Sequence, residues 1–222
     1  MMADAPVIEF AAARLENGTE VDLALDAGEL VLVDPGDEQH ERAIADAACG
    51  LVDPVFGAVR MLGRDWRRLS PDLANALRGR IGHGFRPGAW ISYMSVIDNI
   101  MLAQLHHTTR PEAEIQDEAI RLSVAFGLPG VPTGLPSDCA PGDLARADLA
   151  RAFMGSPALV ILEGPPADLT GALVNMIRTV RDRGTAVVWF TPDPDLWHDR
   201  AIPASQRCRL RGSVIAAAKD RP

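Results

Sequence analysis

Basic residues are too few in this chain to hold nucleic acid by charge. Lys and Arg number 22 against 30 Asp and Glu, a net charge of −8 over 222 residues, so there is no cationic excess to displace counterions from phosphates. Cysteine is scarce as well. Cys49, Cys139 and Cys208 are odd in number and far apart, which gives neither metal-ligand spacing nor a disulfide framework and predicts a reducing compartment. Each is expected to act as a small buried apolar residue. No uncharged apolar run reaches the roughly 20 residues a membrane helix needs, so any membrane role is expected to come through a partner. The opening stretch from Met1 to Phe10 has no basic region followed by an apolar one, which predicts no secretory leader. What is present is an apolar share of 47% and a charged share of 23%, the balance of a soluble globular domain with a core of its own.

Apolar periodicity organises the rest. Val7–Phe10 and Val21–Leu25 alternate as strands do. Glu29–Val33 is a short valine-rich run ended by Asp34-Pro35-Gly36, and reads as a buried strand before a turn. An alanine-rich helix is predicted from Glu41 to Cys49. Strand, glycine turn and helix in that order form the phosphate-loop arrangement. Val55–Leu62 and Ile81–Phe85 read as further strands. Ser70 and Pro71 fit the N-cap and first position of a helix between them. From Ser95 to about Phe126 the pattern is helical and is divided by Arg110-Pro111-Glu112. A helix is predicted from Gly142 to Met154, a buried strand over Ala158–Leu162, a helix from Leu169 to Arg183 and a last buried strand over Thr185–Phe190. Buried strands alternating with helices imply a mostly parallel sheet covered on both faces.

Landmarks in the same order resemble those of ABC transporter ATP-binding subunits. Gly28–Val33 resembles the strand before the family's phosphate loop. Cys49-Gly50-Leu51-Val52-Asp53-Pro54 with Gly57-Ala58-Val59 resembles its "AGL-x-x-P-x-x-G-x-V" turn. Arg80–Phe85 resembles the strand before the Q-loop, and Ser95–Ile100 the "TV-x-EN-V" helix start. Ala150–Phe153 resembles "ARAL", Pro157–Pro165 resembles "P-x-LLLLDEP", and Gly184–Asp195 resembles "GTTVIVVTHDPE". The resemblance implies an α/β, P-loop NTPase-like (RecA-type) fold: a mostly parallel sheet core, an antiparallel β subdomain and an inserted helical subdomain. It implies one cassette-type domain over 1–222, with the helical subdomain at roughly 87–156.

At the positions where the resemblance places chemistry, the side chains have changed. The phosphate-loop equivalent is Pro35-Gly36-Asp37-Glu38-Gln39-His40-Glu41-Arg42. In one register His40 takes the lysine position and in the other Glu41 does; the Ser/Thr position is Glu41 or Arg42. A phosphate loop offers backbone N–H groups and a cation to a polyanion. Asp37, Glu38 and Glu41 oppose that, since two like charges about 4 Å apart at an effective dielectric near 20 cost about 4 kcal/mol. The reading favoured for the segment is a solvated turn whose acids cap the helix start. The strand end that should carry Asp-Glu for Mg²⁺ and water carries Glu163-Gly164. The signature equivalent is Cys139-Ala140-Pro141-Gly142-Asp143, where Pro141 lacks an N–H. The Q-loop glutamine is replaced by Arg86, the switch histidine by Pro192, and no aromatic is evident near Arg14 for adenine stacking.

These losses predict no catalytic residues, no resident cofactor (ATP and Mg²⁺ in the family), no metal and no turnover. His106-His107, adjacent on a helix and about 100° apart, are read as surface histidines. Cys139 beside Asp138 lacks a nucleophile-elbow setting. Trp66, Trp189 and Trp197 are read as packing. Trp90 and Tyr93 lie where the family receives its membrane subunit, and are candidates for that interface. The resemblance further implies a structural or regulatory subunit that is cytoplasmic and peripheral at the inner face of the membrane. Its partners would be a membrane subunit and, in a homodimer or heterodimer, a competent ATP-binding subunit. An ATPase with unusual nucleotide binding, through Glu163, His40 and Arg42, and a stand-alone interaction module are the alternatives.

Overall fold

The computed structural model describes residues 5–86 and 89–217. The first four residues of the stretch read for a leader, and Pro87 and Gly88 at the start of the expected helical subdomain, lie outside that range. The strands are β1 (Ile8–Arg14), β2 (Glu20–Leu25), β3 (Leu30–Asp34), β4 (Phe56–Met61), β5 (Arg64–Asp65), β6 (Ile81–Gly84), β7 (Leu159–Glu163), β8 (Ala186–Phe190), β9 (Gln206–Arg211) and β10 (Val214–Ala217). The helices are α1 (Glu38–Ala48), α2 (Pro71–Arg78), α3 (Val96–His107), α4 (Glu112–Ala125), α5 (Pro141–Ala152), α6 (Thr170–Arg181) and α7 (Pro194–His198).

All ten strands share one sheet, in the order β5-β4-β1-β2-β10-β9-β3-β8-β7-β6. From β9 to β6 every pairing is parallel, while β1, β2, β4 and β5 pair antiparallel. The expected combination of a parallel core and an antiparallel β region is therefore present.

Period-two alternation explains how both faces are covered. Val31, Val33, Ile161, Val188 and Phe190 pack on Ile44, Ala45 and Ala48 of α1. The alternate residues Leu30, Leu32, Val160, Leu162, Val187 and Trp189 pack on Leu173 and Ile177 of α6. Because β3, β7 and β8 are buried on both faces, their sequences carry no polar alternation. A third cluster joins α3, α4 and α5 through Val96, Ile100, Ile115, Ala119 and Ala147.

One glycine of the "AGL" landmark has a clear task. Gly57 adopts φ +77°, and a Cβ there would stand 2.2 Å from the Ala12 carbonyl oxygen. Ala12 lies in the irregular stretch of β1, where the register with β2 and β4 shifts. Only a residue without a side chain lets β4 come this close.

Candidate functional site

The parallel strands β3, β6 and β7 end on the same side of the sheet, which is where open α/β sheets present ligand sites. Beyond β3 the chain turns through Pro35, Gly36 and Asp37 into α1. The predicted helix begins three residues earlier than expected, at Glu38, because Asp37 is its N-cap. Asp37 Oδ1 accepts the main-chain N–H of His40 at 2.9 Å and lies 2.8 Å from His40 Nδ1. The His40 main-chain N–H, then its side chain, hold the Asp37 carboxyl below its ordinary value. One residue before Pro35, Asp34 Oδ1 accepts the Gly36 N–H at 3.1 Å, and Asp34 Oδ2 takes Arg209 Nε at 2.8 Å. Pro35 is buried, Gly36, Glu38, Gln39 and Arg42 are exposed, and His40 is half-buried.

Glu41 departs from the expectation of a solvated turn. Its side chain is only 1% exposed and pairs with Arg86. Glu41 Oε2 accepts an Arg86 amino group, while Glu41 Oε1 is buried without a partner. Burial pushes the Glu41 carboxyl above its ordinary value, against the pull of Arg86. The other amino group of Arg86 lies 3.3 Å from Glu38 Oε1. So two acids of the loop and the residue at the Q-loop position, distant in sequence, form one charged cluster.

Glu163 and Gly164 join it from β7. Glu163 Oε1 stands 2.8 Å from His83 Nε2 of β6. Burial raises the Glu163 carboxyl, but the hydrogen bond and charge of His83 outweigh it and hold the group below its ordinary value. Gly164 has φ +53°, and a Cβ there would lie 3.4 Å from an Arg86 amino nitrogen. His83 also stacks on Phe85, with centroids 3.9 Å apart, and its Nδ1 lies 3.8 Å from Cys49 Sγ. Burial pushes the Cys49 thiol up to about 12, so it stays protonated and is no nucleophile. His83 is the functional-site residue that sequence reading missed. Its signal was faint: one polar residue in a four-residue edge strand.

A largely apolar cavity of about 170 Å³ opens beside Gly164, walled by Phe85, Arg86, Trp90, Asp148 and Pro141. Asp148 is pushed up to about 6 by burial, despite its ion pair with Arg151. Pro141 starts α5 one residue earlier than expected; Ala140, Pro141, Gly142 and Asp143 are exposed and Cys139 is half-buried. Cys139 Sγ donates to the Leu135 carbonyl oxygen. Pro192 is exposed just after β8.

The two interface candidates differ. Tyr93 is 82% exposed, whereas Trp90 is half-buried, packs on the third cluster and carries the Arg151 guanidinium 4.5 Å over its ring. Near Arg14 there is an aromatic after all: Phe56 pairs across from it between β1 and β4 and is 64% exposed. Strand pairing, invisible in sequence, brings it there. Trp66, Trp189 and Trp197 are buried as expected, and His106 and His107 are exposed. Among the described residues no group of three His, Cys, Asp or Glu side chains is arranged to hold a metal, and no helix is long and apolar enough to cross a membrane.

Sheet order, flanking helices and the turn after β3 together define the fold of an ABC ATP-binding cassette, and comparison with known proteins bears this out. Along 97% of this chain and 99% of the other, the fold matches the dimeric bacterial ABC transporter cassette MJ0796 with a TM-score of 0.81 at 16% identity. In sequence, the chain is 27% identical over 225 residues to the macrolide export ATP-binding/permease protein MacB of Salmonella choleraesuis, covering 91% of this chain and 34% of that protein. It is 28% identical over 151 residues to the probable ribonucleotide transport ATP-binding protein mkl of Mycobacterium tuberculosis, 68% of this chain and 42% of that one. It is 33% identical over 116 residues to the intermembrane phospholipid transport system ATP-binding protein MlaF of Haemophilus influenzae, 52% of this chain and 44% of that one. The chain spans about a third of the length of the macrolide export proteins it matches. No protein-family model matches it. Its homologues are thus ABC transporter ATP-binding proteins, and its structural neighbours are ABC cassettes.

Proposed function

We propose that this chain is a degenerate ABC transporter ATP-binding-type subunit, non-hydrolysing, that serves as a structural or regulatory partner in a membrane transport complex. One observation carries the reading: the loop's own carboxylates occupy the N–H groups that a phosphate would need. Asp37 takes the His40 N–H and Asp34 takes the Gly36 N–H. A phosphate loop works because its N–H groups and helix dipole meet an incoming anion unopposed. Here an arriving phosphate would have to displace both carboxylates and then sit among them.

The residues do not fit Mg-ATP at the metal end either. Meeting of Glu41, Arg86 and Glu163 supports the register in which His40 takes the lysine position and Glu41 the Ser/Thr position. That register sets a guanidinium among the groups where the family holds Mg²⁺. Gly164 supplies no carboxylate for water. Each catalytic part of such sites contributes several kcal/mol, so their joint loss leaves no route to hydrolysis.

The wider reading is one cassette-type domain, 1–222, with its helical part at roughly 87–156. It is held at the cytoplasmic face through a membrane subunit and is paired with itself or with a competent ATP-binding subunit. The exposed Tyr93 and half-buried Trp90 are the interface candidates, and the exposed α5 start would face the partner cassette. Turnover of radiolabelled ATP by the purified chain tests the proposal. The expected rate is at least about 100-fold below a competent cassette; a comparable rate overturns it.

A further inference from the structure

We infer that the cavity beside Gly164 is a binding site for a small neutral aromatic molecule, a single ring carrying one hydrogen-bond donor. Its volume is about 170 Å³, and an apolar cavity of about 150 Å³ stays dry and takes up benzene. The ends of β6 and β7 bound it through Gly84 and Leu162, and α5 bounds it through Leu144 and Leu149. Phe85 and Trp90 supply aromatic wall. Two glycines keep the space open. A Cβ at Gly84 would stand 3.1 Å from Leu162 and 3.5 Å from Asp148 Oδ2. Gly164, where the family's resemblance places a carboxylate residue, has no side chain to enter it.

The polar groups of the wall select the ligand's charge. Asp148, Arg86 and Glu163 line the cavity, and each already has an ionic partner: Asp148 has Arg151, Arg86 has Glu41 and Glu38, and Glu163 has His83. A charged ligand would be desolvated there with no free counter-charge to meet it. A neutral one meets no such penalty. Asp148 Oδ1 takes Arg151, and a carboxylate has lone pairs to spare beyond one such bond, so Asp148 can accept a single N–H or O–H from a ligand. Phe85, although it lines the cavity, is still 39% exposed, which leaves aromatic surface for a ring to cover.

Occupancy would be felt beyond the cavity. Trp90 is a wall of it and also packs on the cluster that joins α3, α4 and α5, and it is one of the two residues proposed above for the membrane-subunit interface. A bound ring would join α5 to the strand ends by apolar contact, without nucleotide, and would bear on the surface that such a partner reads. The inference goes beyond the degenerate-cassette reading and does not require it.

Titration of the purified chain with phenol at neutral pH, followed by calorimetry and by amide NMR shifts, tests this. Phenol is expected to bind saturably, one per chain, with a Kd of about 1 mM or tighter, as a ligand of this size in an apolar site allows. It should shift the amides of Gly84, Ala145, Leu149 and Gly164, which line the cavity. Anisole, which keeps the ring without the donor, and benzoate, which adds a charge, should each bind at least about tenfold more weakly. Ala145→Leu, which would fill the space, should weaken phenol at least about tenfold as well. If that variant fails to fold, the wild-type amide shifts and the three-ligand series decide. No saturable binding, shifts confined to other residues, equal affinity for anisole or benzoate, or an unchanged Kd in folded Ala145→Leu overturns the inference. None of these outcomes depends on ATP turnover, so either proposal can fail alone.

Discussion

Gly164 and Arg86 are fitted to each other: the guanidinium of Arg86 lies where the first carbon of a side chain at position 164 would make contact, at 3.4 Å. Restoring a carboxylate at this position should therefore fail to restore chemistry. Gly164→Glu would crowd the Arg86 cluster, and φ +53° at this residue adds backbone strain of about 1 kcal/mol or more. The expected outcome is a lower melting temperature and no gain in ATP turnover, measured side by side on wild type and variant.

Buried acids on neighbouring elements should give pH dependences of opposite sign. Glu163 is held below its ordinary value by His83. Its contribution to stability is present above the unfolded carboxylate value and is lost as pH falls through the lower folded value. Asp148 is raised from 3.8 to about 6, so the folded chain binds the extra proton between those values. Stability from Asp148 is therefore full below 3.8 and declines as pH rises to about 6. Glu163→Gln should flatten the acid limb of a melting-temperature profile, and Asp148→Asn should remove the decline between pH 3.8 and 6. His83→Ala should destabilise by about 1–3 kcal/mol at neutral pH by stranding Glu163.

The antiparallel region depends on one close approach. Gly57→Ala would set a methyl group 2.2 Å from the Ala12 carbonyl oxygen at φ +77°. Urea unfolding should show a loss of about 2 kcal/mol or more, because the opposing atom is backbone and cannot swing away. Gly18→Ala, also at positive φ but with nothing within 4 Å, should cost only the strain of about 1 kcal/mol.

Thiol labelling should order the three cysteines. Cys49 and Cys208 are buried, their thiols pushed by burial up to about 12 and about 11. Cys139 is raised less, by slight burial and by Asp138 and Asp143, and is half-exposed. Iodoacetamide at mildly alkaline pH, read by mass spectrometry, is expected to modify Cys139 first and the other two only on unfolding.

How much of this was legible in sequence follows from the range of the interactions. Strands β3, β7 and β8 announce themselves because both faces are buried and every residue is apolar except the last of β3 and of β7, Asp34 and Glu163. Strands β9 and β10 do not: Gln206-Arg207-Cys208-Arg209-Leu210-Arg211 looks like a charged surface run. Two of its arginines are spent on partners that the sequence does not point to, Arg209 on Asp34, 175 positions away, and Arg207 on the Trp197 carbonyl. The start of α1 was misread because alanine content marked the helix while the capping of Asp37 set its boundary. The loss of the family's phosphate-loop residues was plain from residue identity. The burial of Glu41 was not, because it depends on Arg86, 45 positions away. Phe56 opposite Arg14 and His83 against Glu163 were hidden for the same reason, since strand pairing and not sequence proximity brings each pair together.

Calorimetric titration of the purified chain with Mg-ATP is the sharpest check on a phosphate loop whose N–H groups are taken by its own carboxylates. No binding heat and no rise in melting temperature are expected even at millimolar nucleotide. Saturable binding at Gly36 to Glu41, with the stabilisation of about 2.7 kcal/mol expected at 100 times Kd, would contradict this.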